Sequence, residues 1–267
     1  MSATRMLVKE LAAWGLDQDE YRPAAYRGNP DCSHALLASR IPFETESALV
    51  ELGDCGLREL FAKQETRADL RAEMTGLDWF LGVVDLRRLL AFQRRIVFDS
   101  EAQESPMPAA NKWDDLMSLC FGPPKHVICD AVRSDASILL RSTNPNLQFR
   151  ITDDRSIPIE VHSGSPFFEV AHYRNRWFLR DGYHRAFRCL RAGVFRVPAV
   201  IVRARTLEQT GALHPWFFPE EVLFSPVPPR VTDFLDDALV IEYHRPPLVK
   251  TLRLTVEESY TVRGEHL

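Results

Sequence analysis

From Trp177 to Val202 the chain reads as strand, glycine turn, helix, glycine stop and strand, and this run limits the possible folds more than any other. Trp177-Phe178-Leu179-Arg180-Asp181 has the aromatic and apolar content of a strand, which Gly182 interrupts. Ala186, Phe187 and Leu190 then fall on one side of a helix, while Arg185, Arg188 and Arg191 lie three apart on the other. Gly193 stands where a helix-ending glycine belongs, and Arg196 to Val202 follows as a buried strand. Alternation along the first strand turns Trp177 and Leu179 toward the core. The turn also has the makings of a site. A helix N-terminus offers unpaired backbone N–H groups and partial positive charge, which suit an anion. Gly182 lets backbone and ligand come close and permits a positive φ. His184 and Arg185 add donors, and the planar guanidinium fork matches phosphate. The bland alternative is a plain strand–helix–strand unit with a solvated arginine face. We prefer it for Arg188 and Arg191, and prefer the anion cradle for Gly182, His184 and Arg185 together.

Asp181-Gly182-Tyr183-His184-Arg185-Ala186, with Leu190, Ala192-Gly193 and Val197-Pro198 downstream, resembles the phosphate-binding box of the ParB/sulfiredoxin superfamily. The resemblance covers residues 176–204, and residues 79–99 would supply the family's opening strand and helix. Members include CTP-binding ParB proteins, ATP-using sulfiredoxins and an archaeal-type free serine kinase. The resemblance implies that Gly182, Tyr183, His184 and Arg185 bind a nucleotide (ATP, ADP or CTP) with Mg²⁺. The Asp-Gly start and the Arg-Ala-Phe continuation are nearest to the serine-kinase version. That implies phosphate transfer to a small-molecule acceptor.

Two departures narrow the choice. Sulfiredoxins carry their catalytic cysteine where this chain has Tyr183, and a tyrosine cannot form the sulfur intermediate that repair needs. Cys189 falls inside the helix and reads as a small core residue. ParB proteins follow the box with a helix-turn-helix. Here Pro215, Pro219, Pro226, Pro228, Pro229, Pro246 and Pro247 leave little room for packed helices. A kinase-type reaction also needs a carboxylate near the transferred group. Asp181, at the end of a strand feeding the turn, is the candidate catalytic residue, ahead of Glu160 and Glu169. Its alternative role is a helix-start carboxylate that steadies the turn. A non-catalytic nucleotide switch is the second functional reading. DNA processing is a weaker third, because a net charge of −4 lacks the basic balance of a nucleic-acid binder.

Composition sets the outer limits. The chain has 267 residues, 45% hydrophobic and 26% charged, enough to bury a proper core. No apolar run is long enough to span a membrane and none resembles a signal peptide. The 5 cysteines are irregularly spaced and read as reduced thiols, which places the protein in the cytoplasm. The scattered histidines give no metal-ligand spacing, so no metal site is read from side chains. A homo-oligomer stays open.

The expected fold class is α+β, with three sections. Residues 1–77 form a helical section with helices over 3–14 and 46–53, one beginning at Gly56, and another capped by Thr66 and closing at Gly76. Residues 78–205 form the ParB/sulfiredoxin-like domain. It opens with a strand, a helix from Leu86 to Ile96 capped by Asp85, a loop over 100–112 and a helix from Trp113 to Phe121. Asn144-Pro145-Asn146 then turns a hairpin of Ser137–Arg141 with Leu147–Ile151, Ile157–Val161 forms a strand, and Arg174-Asn175 turns Phe167–His172 into the glycine strand. Residues 206–267 form a proline-rich extension with strands at Leu239–Tyr243 and Leu252–Val256.

Overall fold

The computed structural model describes residues 5–16, 21–51, 56–99, 106–134, 136–144, 146–151, 159–212, 216–255 and 257–260. Its strands are β1 (Met6–Leu11), β2 (Leu49–Val50), β3 (Trp79–Asp85), β4 (Leu90–Ala91), β5 (Arg95–Asp99), β6 (Asp130–Ser134), β7 (Ser137–Ser142), β8 (Gln148–Ile151), β9 (Ile159–His162), β10 (Glu169–Tyr173), β11 (Arg176–Asp181), β12 (Arg196–Arg203), β13 (Val240–Arg245) and β14 (Lys250–Thr255). Its α-helices are α1 (Pro30–Leu37), α2 (Leu57–Glu65), α3 (Ala68–Glu73), α4 (Trp113–Cys120), α5 (Tyr183–Arg191) and α6 (Glu220–Leu223). The protein is a mixed α/β molecule, rich in strands.

The unit from β11 through α5 to β12 folds as its sequence pattern predicts. Trp177, Phe178 and Leu179 are all buried, so β11 is covered on both faces and shows no exposed alternation. Arg174 and Asn175 both take positive φ, 47° and 59°, and turn β10 directly into β11. β10 in turn lies parallel to β12. The full sheet runs β2-β3-β12-β10-β11-β4. Cys189, 1% exposed, packs in the core as expected, and burial pushes its thiol pKa up to about 11.

The chain divides into two compact units, one of residues 1–124 with 165–246, the other of 125–164 with 247–267. This division cuts across the boundaries at 77/78 and 205/206. In the first unit, β1 lies between β13 and β5 in a three-stranded sheet, so the amino-terminal section shares a sheet with the carboxyl-terminal one. Here the expected helix over 3–14 is replaced by a strand. Leu7 and Leu11 fit a helical stripe, but Val8, Glu10 and Leu11 are fully buried between partner strands, and tertiary pairing outweighs local pattern. The helix expected over 46–53 gives way to the extended pair Leu49–Val50; residues 52–55 lie outside the described residues. Gly56 does precede a helix, and Leu57, Leu60 and Phe61 pack on the core. Thr66 closes that helix, and Arg67 precedes the next.

Leu86–Ile96 is not the expected helix either. Asp85 accepts from the Arg87 N–H, as a cap should, but only a short 3₁₀ turn over Leu86–Arg88 follows, then β4 and β5. Arg87 and Arg88 are exposed, but Leu89, Leu90, Ala91 and Phe92 are each at most 1% exposed, so this consecutive stretch is buried on all sides. Periodicity cannot separate such a run from a strand. Its backbone donors find distant partners: Ala91 N–H donates to Pro229 O at 2.9 Å, and Phe92 N–H to the Tyr183 hydroxyl at 3.0 Å.

The second unit holds a sheet of β14-β7-β6 and the pair β8-β9. The strands expected around Asn144-Pro145-Asn146 are present, but they do not pair with each other. Asn144 makes its turn, accepting from Asn146 N–H at 2.9 Å while its amide donates to Ser163 O at 2.9 Å. The flanking strands then join different sheets. Pro145, Ile157 and Val256 lie outside the described residues, as does the 100–105 part of the expected loop.

Candidate functional site

Gly182 joins β11 to α5 with φ +106°, the left-handed region that favours glycine. A Cβ at this position would sit 2.7 Å from Cδ2 of Phe168. The missing side chain therefore makes room for a core aromatic ring. Glycine also cannot cap the first N–H groups of α5 with a side chain of its own.

Tyr183 turns inward and is 4% exposed. Its hydroxyl donates to Leu179 O at 2.9 Å and accepts from the N–H groups of Phe92 at 3.0 Å and Gln93 at 3.2 Å. Burial pushes the phenol well above its ordinary pKa, so it stays neutral. The ring packs edge-on against Phe92 and Phe234. Tyr183 thus clamps the segment after β4 onto the helix start, and its side chain, expected at a nucleotide, is turned into the core and leaves only main chain at the helix end.

His184 is exposed at the first turn of α5. Its Nε2 lies 2.7 Å from Val97 O on β5, and since a carbonyl only accepts, Nε2 carries the proton. The ring also meets Phe98 edge-on at 5.4 Å.

Arg185 spreads over main-chain carbonyls. It donates to Pro166 O at 2.8 Å and Phe167 O at 2.6 Å, with Leu119 O and Cys120 O at 3.4 Å. Two of these carbonyls belong to the last turn of α4, where a cation offsets the helix dipole. Arg67 works the same end, donating to Phe121 O and Gly122 O, so two guanidiniums collar it.

Asp181 ends β11 with its side chain 28% exposed, 3.4 Å from Arg185. Of the other carboxylates weighed, Glu169 is 3% exposed at its side chain and bridges to Arg180 at 3.0 Å. Glu160 is exposed in the second unit. The box thus brings Asp181, the main chain of Gly182 and Tyr183, His184 and Arg185 to one helix end. The Arg180–Glu169 pair beside it had no sequence signal, because the register that joins β10 to β11 shifts at Glu169. Among the described residues no group of three or more His, Cys, Asp or Glu is arranged to hold a metal ion, and no helix is long and apolar enough to cross a membrane. No family model, no curated protein and no solved structure matches this chain.

Proposed function

We propose that the protein binds a nucleotide with its phosphates at the N-terminus of α5. The observation behind this reading is the left-handed glycine that opens a nine-residue helix, with Asp181 and His184 at the same end, in the Asp-Gly-Tyr-His-Arg-Ala pattern resembling the ParB/sulfiredoxin box. The phosphate oxygens take first-turn N–H groups, and the His184 ring borders them. Arg185 serves by fixing the turn on its carbonyl partners. Mg²⁺ would arrive held mainly by phosphates and water, for which the single carboxylate of Asp181 is a fitting protein contact.

In its finer form the proposal is a phosphotransferase acting on a small metabolite, with Asp181 orienting the acceptor hydroxyl or receiving its proton. A non-catalytic switch is the second reading. The bond from His184 to Val97 favours it, because a ligand at the helix start would act on β5 and the sheet shared with β1 and β13.

The test is calorimetric titration of ATP, ADP, CTP and GTP with Mg²⁺ into wild type, His184→Ala and Asp181→Asn. One nucleotide should bind, and His184→Ala should weaken it about tenfold, or about 1.4 kcal/mol. With a metabolite mixture added, a kinase consumes nucleotide and Asp181→Asn stops it, whereas a switch binds without turnover. If no nucleotide binds the wild type, both readings fail.

A further inference from the structure

We infer that a groove beside the outer edge of β13 is a separate anion-binding site, built for a small organic molecule bearing phosphate or carboxylate groups. The groove has a volume of about 730 Å³, and its lining includes Arg5, Arg27, His244, Arg245, Tyr26 and Glu242. That volume lies within the usual range for small-molecule sites. Its lining holds more basic than acidic side chains, although the whole chain carries a net charge of −4. Three arginines, a histidine and a single acid line it, and that acid, Glu242, is paired with Lys9 at 2.9 Å. A concave surface of one sign concentrates ligands of the other.

The groups differ in what they contribute. Arg245 is the most buried of the arginines, 7% exposed, and supplies positive potential from within the groove wall. Arg5 and Arg245 also keep contacts within the chain. Arg27 is the adaptable group. Its side chain is 76% exposed, and its ion pair to Asp237 at 3.6 Å joins two exposed groups and holds it only weakly. Tyr26, 39% exposed, offers a ring face beside it.

The main chain explains why the occupant is a small molecule. Arg27 N–H donates to Glu242 O at 2.8 Å, and Glu242 N–H donates to Arg27 O at 2.9 Å. This exchange occupies the middle of the β13 edge, so an extended peptide cannot add there as a strand. Gly28 makes the exchange possible. It has φ +105°, and a Cβ there would lie 2.7 Å from Val240 O. The loop therefore lies flush on the strand and holds Arg27 and Tyr26 at the groove. None of the lining residues comes from 181–185, so this site and the one at α5 stand or fall separately.

The experiment is calorimetric titration of inorganic pyrophosphate and of citrate into the full chain at low ionic strength. Wild type, Arg27→Glu, Tyr26→Ala and His184→Ala are compared, with thermal melts to verify folding. At least one anion should bind wild type and weaken as salt is raised. Arg27→Glu should lower its affinity roughly tenfold or more, and His184→Ala should leave it unchanged. The inference is overturned if neither anion binds, if Arg27→Glu and Tyr26→Ala both bind as wild type does, or if His184→Ala removes the binding.

Discussion

The start of α5 and the groove at β13 use similar residues in opposite ways. At α5 the groups that look like ligand contacts are largely committed to the protein itself: Gly182 to Phe168, the Tyr183 phenol to three backbone groups, and Arg185 to the carbonyls around α4. At β13 an inconspicuous loop leaves Arg27 and Tyr26 exposed beside Arg245. A glycine, an aromatic and an arginine in sequence can therefore serve as a structural clasp. Residues from distant segments can form the more open basic surface. If this contrast is right, substitutions at the first region should lower stability, and those at the second should lower ligand affinity alone.

Gly182→Ala should have the largest effect. It adds left-handed strain of roughly 1–2 kcal/mol and overpacking of roughly 1–3 kcal/mol. Thermal denaturation should show a drop of several degrees or failure to fold. A near-wild-type melting temperature would mean that the glycine is there for a ligand and not for Phe168. Arg185→Ala comes next. Its side chain is 17% exposed, and its loss leaves several carbonyls without their charged donor, at about 2–3 kcal/mol. Nucleotide affinity measured on this variant would mix folding with binding. His184→Ala is the cleaner probe.

Tyr183→Phe keeps the ring and removes the hydroxyl, leaving the Phe92 and Gln93 N–H groups and Leu179 O without this partner. Denaturant titration should show about 1–2 kcal/mol lost with an unchanged slope. An unchanged midpoint would remove Tyr183 from the structural side of the comparison.

Much of this clasp was legible and much of its meaning was not. The order β11, Gly182, α5, Gly193, β12 followed from residue types, because glycine stops, an apolar helical stripe and a run of Val and Ile are local signals. The turn at Arg174-Asn175 was legible for the same reason. The helices expected over 3–14 and Leu86–Ile96 fail for different reasons: strand pairing outweighs the local pattern of β1, and burial of Leu89–Phe92 on all sides erases the periodicity that separates helix from strand. Arg185 could be placed at the helix start, but its carbonyl partners lie near residues 119–120 and 166–167, and no spacing in the sequence joins them. The β13 groove was illegible for that reason too: the pairing of Arg27 with Glu242 depends on the strand register, not on any motif.

The remaining stability effects are small and divide the two regions most sharply. His172 stacks on Trp177 of β11 with ring centroids 4.4 Å apart, and burial, helped by Arg203, lowers its pKa from 6.5. The folded state then holds the imidazole neutral more firmly than the unfolded chain does. Its contribution is present above pH 6.5 and is lost as pH falls below that value. Melts of wild type against His172→Gln between pH 7 and 5 should converge on the acid side. Equal pH dependence in both proteins would mean that the strand feeding the turn is not acid-sensitive through this residue.

Arg27→Ala should be the smallest change of all. The side chain is 76% exposed, and the pairing with Glu242 uses main-chain atoms that alanine retains. Its stability should stay within about 0.5 kcal/mol of wild type. Calorimetry on the same sample should nevertheless show weaker pyrophosphate or citrate binding. A large loss of stability would show that the β13 loop, like the α5 turn, uses its arginine to hold the chain together, and the contrast between the two regions would collapse.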